Sequence, residues 1–273
     1  MTSARDYWEN EYNPRTKVPD AQKFFDSWVE RAAQARVTLP CTLDLAYGSH
    51  PRERLDFFRP ASSRGTLVFL HGGYWRAFGR EFHSWVAEAF VAAGISVAIP
   101  SYPLAPQASL AEILGSVSQV IPYLRSRVLA DREQERIVLV GHSAGAHLAA
   151  CLLSAARGAP RGEAPDAAVC ISGLFDLSPL RHTQMLSSMN WTAGELHAIS
   201  PLFMEANPAA KVLLAVGAEE SLEFQLQTAR LARAWSPQVN ASLTLPRRNH
   251  FTVIDHLSQP GYELTQATIG LFD

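Results

Sequence analysis

The chain has 273 residues, 47% of them hydrophobic and 18% charged, with a formal net charge of -2. Such a length can bury a sizeable core as one large α/β domain or two small ones, and a near-neutral balance gives no electrostatic reason to expect nucleic acid or an anionic membrane surface as partner. Cys41, Cys151 and Cys170 lie far apart without metal-ligand spacing, so buried free thiols in a reducing compartment are expected, and no metal site.

At the N-terminus, "MTSARDYWENEYNPRTK" has no apolar core of signal-peptide length, and no later run approaches a membrane span. A soluble cytoplasmic protein is therefore expected. Residues 21–36 put Phe24, Phe25, Trp28, Val29 and Ala32 at helical spacing, which predicts an amphipathic helix. That helix, within a helical extension over residues 1–40, either covers the mouth of a site or closes a sheet edge. Two short strands, "CTLDLAY" and "ERLDFFR", follow around a "GSHP" turn and predict an antiparallel edge.

Alternation then sets in. Strands are predicted at 66–70, 95–100, 136–140, 167–172, 211–216 and 241–246, and helices at Glu81–Ala93, Leu110–Val128, Ala144–Ala156 and Leu222–Trp235. Continuous Val/Ile/Leu strands between helices predict a mostly parallel central sheet covered on both faces. No repeat or linker divides the chain, so a single α/β domain is expected. Residues 177–205, centred on "RHTQMLSSMNWTAGELHAIS", break the rhythm and read as a short lid. In such sheets chemistry collects beyond the carboxyl ends of the strands.

One of those ends carries "IVLVGHSAGAHLAA". A serine in Gly-x-Ser-x-Gly between strand and helix sits on a strained turn with its hydroxyl above the sheet, which makes Ser143 a candidate nucleophile. Gly141 and Gly145 are required because larger side chains would meet the neighbouring strand or helix. The Ala144 amide, at the positive end of the helix, is a candidate oxyanion donor. The bland alternative is a tight turn whose serine only caps the helix. A buried strand before it and a small-residue helix after it favour the nucleophile.

A serine hydroxyl needs a base and an orienting acid, in this topology in the order Ser, acid, His. His250, just past the last strand in "LPRRNHFTVIDHL", is preferred as base to His256, which sits in a following helical segment. The acid should follow the preceding strand, where "VLLAVGAEES" offers Glu219 and Glu220. Spacing does not choose between them, and Asp176 after an earlier strand reads as a turn aspartate. A second oxyanion donor is offered by "TLVFLHGGYW", where consecutive glycines let the amides of Gly73 and Tyr74 approach a ligand. His147 reads as a packed helix residue, and His50, His83, His182 and His197 lack ligand-like partners. His142 fills the variable elbow position.

With these motifs in hand, the chain resembles the α/β-hydrolase superfamily, and within it the branch containing kynurenine formamidase. The likeness rests on "EYNPRTKVPD", "HGGYW", "GHSAGAHLAA", "SGLFDLSPL", "VGAEESLEF" and "NHFTVIDHL", which run almost end to end. It implies an acyl-enzyme mechanism that needs no cofactor, and it implies Glu220 as the acid, where animal members of the family have Asp. Many esterase relatives carry a third glycine in place of Tyr74, and "SYPLAP" departs from the Tyr-Arg pairing of relatives. The expected substrate is a small-molecule acyl amide or ester, formyl foremost, with an aromatic leaving group of tryptophan breakdown. Tyr74, Trp75, His142 and Trp191 are the candidate pocket residues. A small-acyl carboxylesterase or amidase is the first alternative, and a non-catalytic ligand-binding hydrolase fold the second.

Overall fold

The computed structural model describes residues 3–130, 132, 135–156, 158, 164–189 and 191–273. Its centre is an eight-stranded sheet of β1 (Cys41–Ala46), β2 (Arg54–Phe58), β3 (Thr66–Leu70), β4 (Ser96–Pro100), β5 (Ile137–His142), β6 (Ala167–Ile171), β7 (Lys211–Gly217) and β8 (Val239–Leu245). The order across the sheet is β1-β2-β4-β3-β5-β6-β7-β8. β2 is antiparallel to both its neighbours and every other pairing is parallel. This is the mostly parallel, doubly covered sheet expected from the alternating pattern, with β1 and β2 as its antiparallel edge.

Successive strand residues go to opposite faces, and the core divides accordingly. Val68, Leu70, Leu139, Cys170 and Leu214 pack under the helices Leu110–Ser118, Ala144–Ala155 and Leu222–Ala234. Leu67, Phe69, Val138, Val140 and Leu213 pack on the other face beneath Gln22–Thr38, Ala87–Ala92 and Glu263–Ile269. Because both faces are covered, the central strands carry no polar stripe. Each such leucine or valine, fully withdrawn from water, contributes about 1.5–3 kcal/mol.

Three local expectations change. The helix predicted over Glu81–Ala93 is two 3-10 turns, Arg80–Phe82 and Ser84–Val86, before an α-helix at Ala87–Ala92. His83 leaves helical geometry at φ -129, ψ 8, and its ring packs against Phe69 and Trp28. The segment Leu110–Val128 is α-helical to Ser118, resumes at Val120–Tyr123 and ends in a π turn, Leu124–Val128. Pro122 has no N–H for the Ser118 carbonyl, so a continuous ladder is impossible there. In Gln22–Thr38 the buried residues are Phe25, Trp28, Ala32 and Ala35, whereas Val29, on the apolar periodicity, is 42% exposed.

Register decides where the chemistry can gather. Leu70 lies opposite Gly141, His142 opposite Ile171, and Gly217 opposite Leu245. Parallel strands in this register end at one rim, so the loops starting at His71, Ser143, Ser172, Ala218 and Pro246 are neighbours.

Candidate active site

The turn after β5 is as tight as the Gly-x-Ser-x-Gly pattern requires. Ser143 has φ 56 and ψ -119, a backbone that L-residues rarely adopt, and its amide donates to the Ile171 carbonyl at 2.8 Å. A Cβ on Gly145 would fall 1.9 Å from the Leu70 carbonyl oxygen, and one on Gly141 would fall 2.2 Å from that of Gly145. The helix therefore starts directly against β3, which leaves Ser143 no place but the rim of the sheet.

His250 closes over it. Its Nε2 lies 3.0 Å from Ser143 Oγ and its Nδ1 lies 2.6 Å from Glu220 Oε2. The other oxygen, Glu220 Oε1, accepts from the Gly217 amide at 2.7 Å and from the Ser172 hydroxyl at 2.5 Å. Two donors hold the carboxylate turned toward the imidazole. Ser172, at φ 51 beyond β6, went unnoticed in the sequence. A serine at the carboxyl end of a central parallel strand was the available signal. Glu219 points away: it is exposed, and its amide donates to the Arg248 carbonyl. Asp176 accepts from the Ser178 amide in a turn, and His256 Nε2 accepts from Arg248 Nε. His147 is buried with Nε2 donating to the Ile199 carbonyl at 2.8 Å.

The elbow histidine has a structural partner. His142 Nε2–H donates to the carbonyl of His250 at 2.9 Å, so the residue before Ser143 fixes the backbone that carries His250. Burial holds the His142 pKa well below the ordinary imidazole value, which keeps the ring neutral and this donor tautomer available.

Across from the elbow, the loop after β3 reverses sharply. Gly73 adopts φ 101, and a Cβ there would fall 2.6 Å from the Ala77 carbonyl. From beneath, the Tyr102 hydroxyl donates to the His71 carbonyl at 2.7 Å, and His71 Nδ1–H donates to Gly72 at 2.8 Å. The His71 and Tyr102 rings stack 4.2 Å apart. Among the described residues, the amides of Gly73, Tyr74 and Ala144 find no protein acceptor. The first two lie on the loop after β3 and the third starts the helix after Ser143.

A cavity of about 400 Å³ opens above Ser143 and His250. Tyr74 and His142 line it, as expected. Trp75 and Trp191 do not. Tyr74 and Trp75 both have positive φ, 50 and 57, and this turn drives Trp75 under the loop into the core, fully buried against His147 and Trp191. The aromatic wall comes instead from Phe25 and Trp28 of the Gln22–Thr38 helix, with Phe78 and Phe251. That helix therefore covers the mouth. Met185, within the 177–205 interruption, also reaches the cavity. Phe25, Phe78 and Phe251 pack ring on ring with centroids about 5 Å apart, a contact between remote segments that no local pattern announces.

Burial also makes the site acid-sensitive. The His71 pKa is pushed down to about 3 and those of His83 and His147 to about 4, in each case chiefly by desolvation of the charged ring. The unfolded chain takes up these protons near pH 6.5 and the folded chain does not. Their stabilising contribution is thus complete above about pH 6.5 and is lost as pH falls toward the folded values, at about 1.4 kcal/mol per unit for each ring. The thermal midpoint is expected to drop by on the order of 10 °C between pH 7 and pH 5. A flat melting profile over that range would show that these rings are not held neutral.

Among the described residues no helix is long and apolar enough to cross a membrane, and no group of three His, Cys, Asp or Glu side chains is placed to hold a metal ion. Comparison with known proteins adds to this geometry. A family profile described as alpha/beta hydrolase fold matches residues 67–235. Kynurenine formamidase of Salmo salar is 27% identical over 87% of this chain and 84% of its own. Isoprenylcysteine α-carbonyl methylesterase of Arabidopsis thaliana is 34% identical over 40% of this chain and 26% of its own. A crystal structure of a candidate thioesterase from Silicibacter sp. tm1040 superposes with a TM-score of 0.83 at 31% identity, covering 97% of this chain and 98% of that one.

Proposed function

The chain belongs to the α/β-hydrolase family and is of the serine-hydrolase type, and from that premise we propose that it removes a small acyl group, formyl foremost, from an aromatic amine, as a kynurenine formamidase-like enzyme. Ser143 is the nucleophile, His250 the base and Glu220 its orienting acid. The observation that carries this reading is the hydrogen-bonded line Ser143–His250–Glu220 on the floor of an aromatic-walled cavity.

The chemistry follows from the bonds. With Nδ1–H donated to Glu220, the lone pair of His250 Nε2 is free for the Ser143 proton. Ser143 Oγ attacks the carbonyl carbon as that proton moves to Nε2. Negative charge then develops on the carbonyl oxygen, which the amides of Gly73, Tyr74 and Ala144 receive. Losing one such donor costs about 2.7–4 kcal/mol in the transition state. The tetrahedral centre collapses as His250 gives its proton to the departing amine nitrogen. Water then repeats the sequence on the acyl-enzyme, its proton going to His250, and the free acid leaves from Ser143. Phe25, Trp28, Phe78 and Phe251, which line the cavity, shield the leaving aryl ring from water.

An ester substrate runs through the same steps. The methylesterase and candidate-thioesterase relatives support that second reading. The two are separated by kcat/KM for N-formyl-L-kynurenine against 4-nitrophenyl acetate. A preference for the formyl amide of at least about tenfold is expected, the scale on which pocket complementarity discriminates. Faster ester turnover with little formamide cleavage would replace the amidase reading by the esterase one.

A further inference from the structure

The cavity above Ser143 has a lopsided charge. Arg15 and Arg76 line it, and among the described residues no aspartate or glutamate does. Two of its histidines bring no further positive charge: burial holds His83 down at about 4 and His142 well below the usual range. Glu9, on the N-terminal helix, is taken up by the amides of Gln184 and Met185 and by Asn13 Nδ2. Glu220 lies behind His250 with both oxygens engaged.

Arg15 is the more available of the two cations. Its guanidinium forms no hydrogen bond or ion pair among the described residues. Instead it lies over the Phe25 ring, with Cζ 5.0 Å from the centroid. A guanidinium held over an aromatic face keeps its N–H donors free, and their fork matches the two oxygens of a carboxylate. Arg76 has Nη1 committed to the Met185 carbonyl at 2.5 Å and retains its other donors.

The backbone that presents Arg15 is anchored on both sides of the reaction centre. The Tyr74 hydroxyl donates to the Tyr12 carbonyl on the side of the glycine loop. The Ser221 hydroxyl, next to Glu220, donates to the Glu11 carbonyl at 2.6 Å. Between those anchors Asn13 Oδ1 caps the short Pro14–Lys17 helix by accepting from the Arg15 amide.

We propose that Arg15, seconded by Arg76, is a specificity-determining residue that binds a carboxylate carried by the leaving side of the substrate, so that the enzyme selects anionic aryl acyl compounds over neutral ones. This rests on the reading of the cavity as the acyl-substrate site. The aromatic wall takes the ring, the glycine loop takes the reacting carbonyl, and the arginine at the mouth fixes which end of the molecule enters first.

Binding tests this without turnover. Affinities of 1-naphthoate and 1-naphthamide for the full chain are measured by calorimetry, with tryptophan fluorescence as a second readout because Trp28 lines the cavity. The carboxylate should bind about tenfold more tightly than the amide, the scale of a charge-assisted pair at a partly wet rim. Arg15→Ala should erase most of that ratio, and Arg15→Lys, which keeps the charge but not the fork, should restore only part of it. Equal affinities in the wild type, or an unchanged ratio in Arg15→Ala with an unchanged melting point, would overturn the proposal. A parallel comparison of N-formylanthranilate with formanilide separates the two ideas. Arg15-dependent naphthoate binding without formamide cleavage sinks the formamidase reading and leaves the carboxylate site standing. Formamide cleavage indifferent to the carboxylate does the reverse.

Discussion

Ser143→Ala should lower kcat/KM for any acyl substrate of this enzyme by about a million-fold, with little change in melting point. The hydroxyl makes one side-chain bond, to His250 at 3.0 Å, and the turn around it is set by Gly141, Gly145 and the backbone bond to Ile171 rather than by the serine itself. Alanine therefore removes the proposed nucleophile and leaves its surroundings in place. The unpaired amides and the aromatic cavity survive, so some acceleration over water should persist, on the order of a thousand-fold. His250→Ala should cost a similar factor, and the double variant no more than either single one, because both remove the same attack step. Retention of more than about one part in a hundred of the activity in Ser143→Ala would mean that the attack on the carbonyl does not come from this serine.

The second large effect is expected from Glu220→Gln, with kcat lowered by about ten-thousand-fold. An amide oxygen can still accept from Gly217 and Ser172, the two donors on the Oε1 side. The amide NH2 then faces His250 and forces the tautomer that carries its proton on Nε2. In that form the ring cannot accept from Ser143. Glu220→Asp should retain more activity than Glu220→Gln, since the charge remains although the arm is shorter. Glu219→Gln, altering the exposed neighbour whose side chain makes no hydrogen bond or ion pair among the described residues, should stay within about twofold of wild type, as surface changes do. Steady-state kinetics of the three variants on one substrate decide the matter. A large loss in Glu219→Gln with little in Glu220→Gln would reverse the assignment of the acid.

The parts of this molecule that could be read along the chain are those whose physical cause is local. The apolar strands, the helix after Ser143 and the Gly-Gly turn at 72–73 each answer to sterics or burial within a few residues, and the structure has them where the patterns predict. The two helices read as continuous were broken by features that composition hides. One was an inward-turned His83 and the other a proline at 122 within an otherwise helical run.

The cavity was legible only in part. Tyr74 and His142 line it, but Trp75 is a core residue, because two successive positive-φ positions rotate it beneath the loop, and the partly buried Trp191 packs against it. Phe25, Trp28, Phe78 and Phe251 supply the aromatic surface. Their common address is set by how the Gln22–Thr38 helix crosses the sheet, which a single segment does not encode.

By itself, then, the sequence determined the doubly covered parallel sheet, the corner that exposes Ser143 and the short list of groups able to serve it. Periodicity and steric exclusion act between near neighbours in the chain. Residue spacing left two glutamates open and only the family resemblance implied Glu220; tertiary structure brings that one to His250, held by the Gly217 amide and the Ser172 hydroxyl. It also decided which aromatics wall the cavity and that Arg15 stands at its mouth. Those choices depend on strand register and on contacts between segments remote in sequence, where a shift of one residue turns a side chain to the opposite face.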